Sequence, residues 1–590
     1  MRQYERLYIK FLNLTRRLTD RQMMMVLACI VGLLAGLGTY VFELLLHGIK
    51  WALTSWFNVE SASYLYLVYP AVGIILVSLF VKYIVKDEIS EGVTRVLYAM
   101  SKKSSRIKPH NTWTSVVGGA TTIGFGGSVG PEAPIVLTGA AIGSNVGRLA
   151  RLNYKQTTLL LGCGAGAAIA AIFKAPIAGL IFVLEILMLE MTAVSIIPLL
   201  LATISGTTLA LALRGFDPII AVRVPEIFKI GNIPMYMVLG VACGLVSYYF
   251  TSVNSAIGKF FSRFNKIWYK WLAGGAVLGV LLFLFPPLYG EGYESFGELM
   301  HGRMDTLFEN SLFYQYRAIP WAIIIYLLAI LFFKVIAMAT TNAAGGVGGT
   351  FAPSLLVGAF TGASIAFFCN YVFGMELPLI SFTLVGMAGV MTGVMKAPLT
   401  SIFLIAELSN GYGLFIPLMI VAAISFVIDY YLDPDSIYTK QLRRRGELLT
   451  HNKDESVFVF LQLDKLMETD FLKIDKSYRL GDLVKIISKA RRNIFPVVDG
   501  EDRLIGIVQL DDLREDMFLP EKYGTPITNY MIQPPDRILP NEQVGSVLKR
   551  FDDAGTWMLP VVDKTDRYLG FISKSRILAA YREQLVEISQ

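Results

Sequence analysis

Cysteine, histidine and charge are all scarce in this chain. Its 590 residues include four cysteines and four histidines. Cys29, Cys163, Cys243 and Cys369 fall in apolar runs, and His47, His110, His301 and His451 are scattered. No spacing among them suits a disulfide framework or a metal centre. There is no P-loop and no nucleophile–base constellation, so the sequence gives no support to ATP-driven pumping or to an enzyme. Charged residues make up 17% of the chain against 54% hydrophobic, too few for an ordinary soluble protein. The formal net charge of +7 is accounted for by basic flanks, and no nucleic-acid partner is implied.

The chain has apolar length instead. Hydrophobic runs cover roughly 23–54, 66–86, 112–150, 157–214, 232–254, 271–290, 318–375, 377–408 and 412–432. Several exceed the ~20 residues that a membrane-crossing helix needs. Others are broken by glycine and proline, as at Gly126, Gly127, Gly130 and Pro131, and again at Gly345, Gly346, Gly349 and Pro353. Irregular backbone at membrane depth is tolerated only under a cover of protein or along a water-filled path. Arg2, Arg6, Lys10, Arg16, Arg17 and Arg21 precede the first run, and Lys440, Arg443, Arg444 and Arg445 follow the last. The positive-inside rule places both flanks in the cytoplasm, which requires an even number of complete crossings. Residues 1–21 are read as a cytoplasmic tail, not a cleaved signal.

Two phrases recur at nearly one spacing. Gly130-Pro131-Glu132-Ala133-Pro134 is answered 219 residues later by Gly349-Thr350-Phe351-Ala352-Pro353, and Lys174-Ala175-Pro176 is answered 222 later by Lys396-Ala397-Pro398. Internal repeats within a membrane region point to a transporter or channel with its site at the repeat interface. Glycine-rich turns followed by proline are helix-start signals. A helix starting inside the membrane aims unsatisfied N–H groups and partial positive charge into the protein. That favours a desolvated anion without a full cation, which would hold it too tightly for conduction. One phrase carries a carboxylate, Glu132, where the other has Phe351. An ionisable residue at membrane depth is a functional candidate by default.

The stretch Gly126–Val136 resembles the Gly-Arg/Lys-Glu-Gly-Pro motif of CLC chloride channels and chloride/proton antiporters. Gly349–Pro353 resembles that family's Gly-x-Phe-x-Pro motif, and Ser436-Ile437-Tyr438-Thr439 the segment bearing its pore tyrosine. The resemblance runs from about residue 20 to 590. It implies an all-α polytopic membrane domain over 22–440, built of two inverted repeats at about 22–215 and 232–440. It also implies a homodimer with one pore per subunit, carrying chloride across an inner membrane. Within it, Glu132 is the gate, whose carboxylate occupies an anion site and swings away when protonated. The amides of Thr350 and Phe351 and the Tyr438 hydroxyl are the implied chloride ligands.

Three departures bear on the mode of transport. Pro131 and Ala133 replace the family's flanking cation and glycine. The family's first pore motif, Gly-Ser-Gly-Ile-Pro, falls on Ser90-Glu91-Gly92-Val93-Thr94. An ionised Glu91 ~5 Å from chloride would repel it by roughly 3 kcal/mol at an effective dielectric near 20. Either Glu91 is protonated, or it turns toward the cytoplasm, or a slip of one residue lets Ser90 act beside Gly92. Finally, exchangers of the family have two adjacent glutamates where this chain has Glu185 and Ile186. Isoleucine carries no proton, which favours channel-like conduction over proton antiport, unless Glu91 supplies the relay. Glu185 and its repeat partner Glu407 are read as capping or pairing within the helix bundle. A divalent-cation channel is a remote rival that the oriented glycine-rich helix starts oppose.

Past about residue 440 charge becomes frequent and alternating strands appear. Phe495–Val508 matches Leu559–Ile572 at a constant offset of 64. After a linker at 441–463, this resembles an α/β tandem CBS pair, with units at 464–524 and 525–590. CBS pairs often bind adenine nucleotides through a Gly, Ser/Thr, Asp pattern. Gly506 is followed by Gln509 and Asp512, and Gly570 by Ser573 and Arg576, so each copy keeps half. Asp512 and Ser573 are the nucleotide candidates. The alternative is a dimerisation tail without ligand, and no cofactor is required for transport.

Overall fold

A computed structural model describes residues 19–54, 63–189, 192–215, 228–409, 411–444, 461, 463–542 and 544–589. Most of the expected tail over 1–21, and the centre of the expected linker over 441–463, lie outside the described residues. The chain forms two compact units, Met1–Leu448 and Leu449–Gln590.

The first unit is helical. Its first half runs through α1 (Asp20–Thr54), α2 (Tyr69–Leu79), α3 (Gly92–Lys102), α4 (Asn111–Gly124), α5 (Glu132–Leu149), α6 (Tyr154–Phe173), α7 (Pro176–Glu185) and α8 (Ala193–Arg214). The second runs through α9 (Ile233–Ser262), α10 (Ile267–Leu284), α11 (Tyr293–Met300), α12 (Pro320–Ala343), α13 (Phe351–Phe373), α14 (Leu379–Met395), α15 (Pro398–Leu408), α16 (Phe415–Leu432) and α17 (Ile437–Arg444). Among the described residues, nine helical stretches are long and apolar enough to cross a membrane. Helices α7, α14 and α15 are shorter.

The repeated Lys-Ala-Pro phrase has a local cause. α6 and α14 end at Lys174 and Lys396, both left-handed at φ 53° and 58°. Pro176 and Pro398 then open α7 and α15 at the position where a missing N–H costs nothing. The helices that follow the other repeated phrase are built on close approach. A Cβ on Gly139 would lie 2.2 Å from the Gly164 carbonyl oxygen, and one on Gly358 2.4 Å from that of Gly386. Glycine therefore lets α5 close on α6 and α13 on α14, the same contact made twice.

The two halves meet reciprocally. Gly130 N donates to Gly349 O at 2.9 Å, and Gly349 N to Gly130 O at 2.7 Å. Ser128 N donates to Thr341 Oγ1 at 3.2 Å, and Val347 N to Thr122 Oγ1 at 2.9 Å. Each pair is the other shifted by 219, the pattern of a pseudo-two-fold axis between inverted repeats.

The second unit contains α18 (Leu463–Leu466), β1 (Ile474–Asp475), α19 (Leu480–Ile487), β2 (Ile494–Val498), β3 (Leu504–Gln509) and α20 (Leu510–Leu513), then α21 (Val544–Ala554), β4 (Met558–Val562), β5 (Tyr568–Ser573) and α22 (Lys574–Ser589). β1 pairs parallel with β2, and β2 antiparallel with β3. β4 pairs antiparallel with β5. Pro496 opposes Ile507 and Pro560 opposes Phe571, again 64 apart. Leu504 N donates to Asp566 O and Tyr568 N to Asp502 O, both at 2.9 Å, so these copies too are joined reciprocally.

Candidate anion site and gate

Glu132 is the first residue of α5 and is wholly buried. A buried carboxylate needs donors, and the nearest are at the start of α13. Its Oε1 accepts from the Phe351 amide at 2.5 Å, and the Ala352 amide is within reach. The carboxylate thus sits on the positive end of a helix of the opposite repeat. Glycine makes room for it. A Cβ on Gly130 would lie 2.1 Å from Oε2, and one on Gly349 2.0 Å from Oε1.

Tyr438 lies near the start of α17, buried and within electrostatic reach of Glu132. Its hydroxyl faces Thr350 Oγ1, but neither oxygen completes a hydrogen bond among the described residues. Glu132 Oε2 is likewise unpartnered among them. Three orphaned buried polar atoms at one place are unusual, because buried polar groups are nearly always bonded. The Phe351 ring closes the site against Phe173 and Phe182, with centroids 5.3 and 6.4 Å away.

Of the first-motif residues, Gly92 comes against α5. A Cβ there would lie 2.0 Å from the Ala133 carbonyl oxygen, so the start of α3 packs directly on that of α5. Glu91 precedes it in a left-handed conformation, φ 56°, makes no side-chain cap and is exposed. The structure therefore has the Glu91 side chain turned to the surface. Ser90 is half-buried. The structure brings Glu132, Phe351, Thr350 and Tyr438 together, with Gly92 against the neighbouring residue of α5.

Glu185 and Glu407 are caps exchanged between the repeats. Glu407 accepts from the Ile177 and Ala178 amides at 3.0 and 2.8 Å. Glu185 accepts from the Leu399 and Thr400 amides at 3.0 and 2.7 Å. Ile186 follows at the C-cap of α7 and is buried.

Sequence reasoning missed a second support of the Glu132 loop. Lys334, wholly buried in α12, donates to the carbonyls of Gly290 at 2.9 Å and Leu288 at 3.3 Å. Ser128 Oγ reaches the same Leu288 carbonyl at 2.7 Å, and the Tyr289 hydroxyl reaches Gly124 O at 2.9 Å. Residues 288–290 are thus fastened to the loop that delivers Glu132. The available signal was a lone lysine within an apolar run.

In the second unit, Asp512 is exposed on α20. Ser573 ends β5, and its hydroxyl donates to Glu468 Oε1 at 2.7 Å while accepting from Arg576 N at 3.2 Å. Glu468 also pairs with Arg492 at 2.7 Å. Ser573 is therefore already engaged.

The chain matches the voltage gated chloride channel family over residues 73–430 and the CBS domain over 463–518 and 527–583. It is 28% identical over 448 residues to the H(+)/Cl(-) exchange transporter ClcA of Vibrio parahaemolyticus, covering 71% of this chain and 89% of the relative. Its fold is similar to that of a slow cyanobacterial Cl-/H+ antiporter, with a TM-score of 0.62 at 22% identity over 72% of this chain and 98% of the other. A eukaryotic CLC transporter is similar over 94% of this chain and 97% of its own, with a TM-score of 0.60 at 16% identity.

Proposed function

The chain belongs to the voltage-gated chloride channel family, and from that premise we propose that it carries chloride across a membrane under the control of Glu132. The observation that carries this is the Glu132 carboxylate held by the Phe351 amide. A carboxylate and a chloride ion ask the same thing of a helix N-terminus, so they compete for it. Protonation removes the charge that those amides hold, and the side chain then gives way to chloride. The Thr350 and Tyr438 hydroxyls supply further donors to the ion. Gly92 lets the chain pass close beside the path, and Ser90 is the residue of that motif retained for the ion.

Channel-like conduction is the favoured mode, because buried Ile186 offers nothing to a proton arriving from the cytoplasm. Antiport is the second reading. It draws on the exchange activity named for the Vibrio relative and on the exposed Glu91, one residue from the start of α3. Chloride efflux from proteoliposomes, with external pH followed at the same time, tests both. Efflux without proton movement supports conduction. Opposed proton movement that persists against its own gradient establishes antiport, and Glu91→Gln should then abolish the coupling. Absence of chloride efflux overturns the proposal.

The setting is an inner membrane with both termini cytoplasmic, and the unit of function is a homodimer with one path per subunit. The CBS pair offers Asp512 to the ribose hydroxyls of an adenine nucleotide. Ser573 would have to leave Glu468 to reach a phosphate. Titration of ATP and AMP into the full chain, compared with Asp512→Asn, checks this: affinity should fall in the variant, and no binding to the unmodified chain removes the site.

A further inference from the structure

The gate has a second polar neighbourhood that the chloride path does not use. Glu291 and Tyr293 directly follow the residues fastened by Ser128, Tyr289 and Lys334, so they are fixed relative to Glu132. Both lie within electrostatic reach of it. The Tyr293 hydroxyl is buried and makes no hydrogen bond among the described residues, as is true of Glu132 Oε2. Burial pushes the Tyr293 phenol well above its usual range, so it stays a neutral hydroxyl that can both donate and accept. Glu291 and Tyr293 also line a cavity of about 770 Å³.

The charged groups around this cavity are mostly spoken for. Glu43 of α1 pairs with Arg214 of α8 at 2.5 Å, and Lys174 lies within its electrostatic reach. Glu298 holds Arg303 at 2.9 Å and the Thr306 hydroxyl at 3.0 Å. His47, at the cavity wall with Lys50, turns Nδ1 to the Glu43 carbonyl. Of the acids lining the cavity, Glu43, Glu291, Glu298 and Glu309, Glu291 lies within electrostatic reach of Glu132. Lys334 is within electrostatic reach of Glu291.

We infer that Glu291 and Tyr293 form the receiving site of the gate on the cavity side. When Glu132 leaves the α13 amides, its carboxyl docks on the Tyr293 hydroxyl, and Glu291 exchanges the proton between Glu132 and the cavity. The step balances simply. Hydronium in the cavity protonates Glu291 and leaves as water; the O–H bond at Glu291 breaks as one forms at Glu132; Glu291 returns to the carboxylate. No electrons are transferred.

This rests on the reading of Glu132 as gate, and the test separates the two. Full-length chain is reconstituted and chloride efflux is measured over a series of pH on the cavity side, with the opposite side clamped. Tyr293→Phe and Glu291→Gln are compared with the unmodified chain, each alone and combined with Glu132→Gln. The loss of one hydrogen bond or one proton donor should slow efflux about tenfold near neutral pH and shift the midpoint to lower pH. In the Glu132→Gln background neither change should have further effect. Unchanged pH profiles would overturn the inference alone, and so would equal slowing in both backgrounds, which would mark a merely structural role. No chloride efflux from the unmodified chain would overturn both readings.

Discussion

A carboxylate buried at the start of one helix takes its donor from the start of another, and that pairing defines the centre of this molecule. Glu132, Phe351, Gly130 and Gly349 were legible because they share one repeated phrase and differ at a single chemically decisive position. Tyr438 was legible only through its motif, since the chain has 28 tyrosines. Replacing it by phenylalanine removes a hydroxyl without changing the ring. Chloride affinity, measured by isothermal titration, should fall by about 1 kcal/mol, the net worth of one hydrogen bond. An unchanged affinity would take Tyr438 out of the ligand set. Ala352, Lys334 and Glu291 were not legible. Their roles come from folded proximity to Glu132 and to the 288–290 carbonyls, and a lysine in an apolar run does not announce which carbonyls it will reach. Glu91 posed three alternatives in the sequence, and a single left-handed backbone conformation turns it to the surface.

Among the elements, the short helices α7 and α15 were the hardest to see. Each lies inside a longer apolar run, and hydrophobicity does not mark where a buried helix breaks. The Lys-Ala-Pro phrase did mark it, once its residues were read as a left-handed stop followed by a proline start. The exchange of Glu185 and Glu407 follows from these breaks, because each freshly opened helix exposes amides that its own repeat does not cap. Glu407→Gln keeps the shape but weakens bonds to two α7 amides. It should cost about 1–2 kcal/mol and lower the thermal midpoint, and Glu185→Gln should do the same for α15. Equal midpoints for variant and unmodified protein would deny the caps an energetic role. Close helix contact gives a harsher test. Gly139→Ala places a methyl 2.2 Å from the Gly164 carbonyl oxygen, backbone against backbone. Separation of α5 from α6 should cost several kcal/mol, read as loss of the monodisperse fraction in detergent.

At the scale of the whole molecule, two pseudo-symmetric units share one chain, and both symmetries were written as offsets, near 219 and at 64. The CBS unit responds to acid through its own ion pairs. Arg550 bonds both oxygens of Asp536 and holds that carboxyl below its usual range. A lowered folded value means stability that is present above the usual carboxylate range and is lost as pH falls through the lowered one. Asp536→Asn should therefore lower the unfolding midpoint of this unit at neutral pH, by an amount up to about 1 kcal/mol for so exposed a pair. The difference should vanish in strong acid; a difference that persists there would assign the loss to packing. In the proposed function the membrane unit responds to acid through Glu132, and here that proposal stands or falls. The most direct measurement is chloride efflux from proteoliposomes against pH, for the unmodified chain and for Glu132→Gln. The account predicts efflux that rises as pH falls in the first and efflux that is fast and indifferent to pH in the second. Identical pH dependence in the two would contradict it.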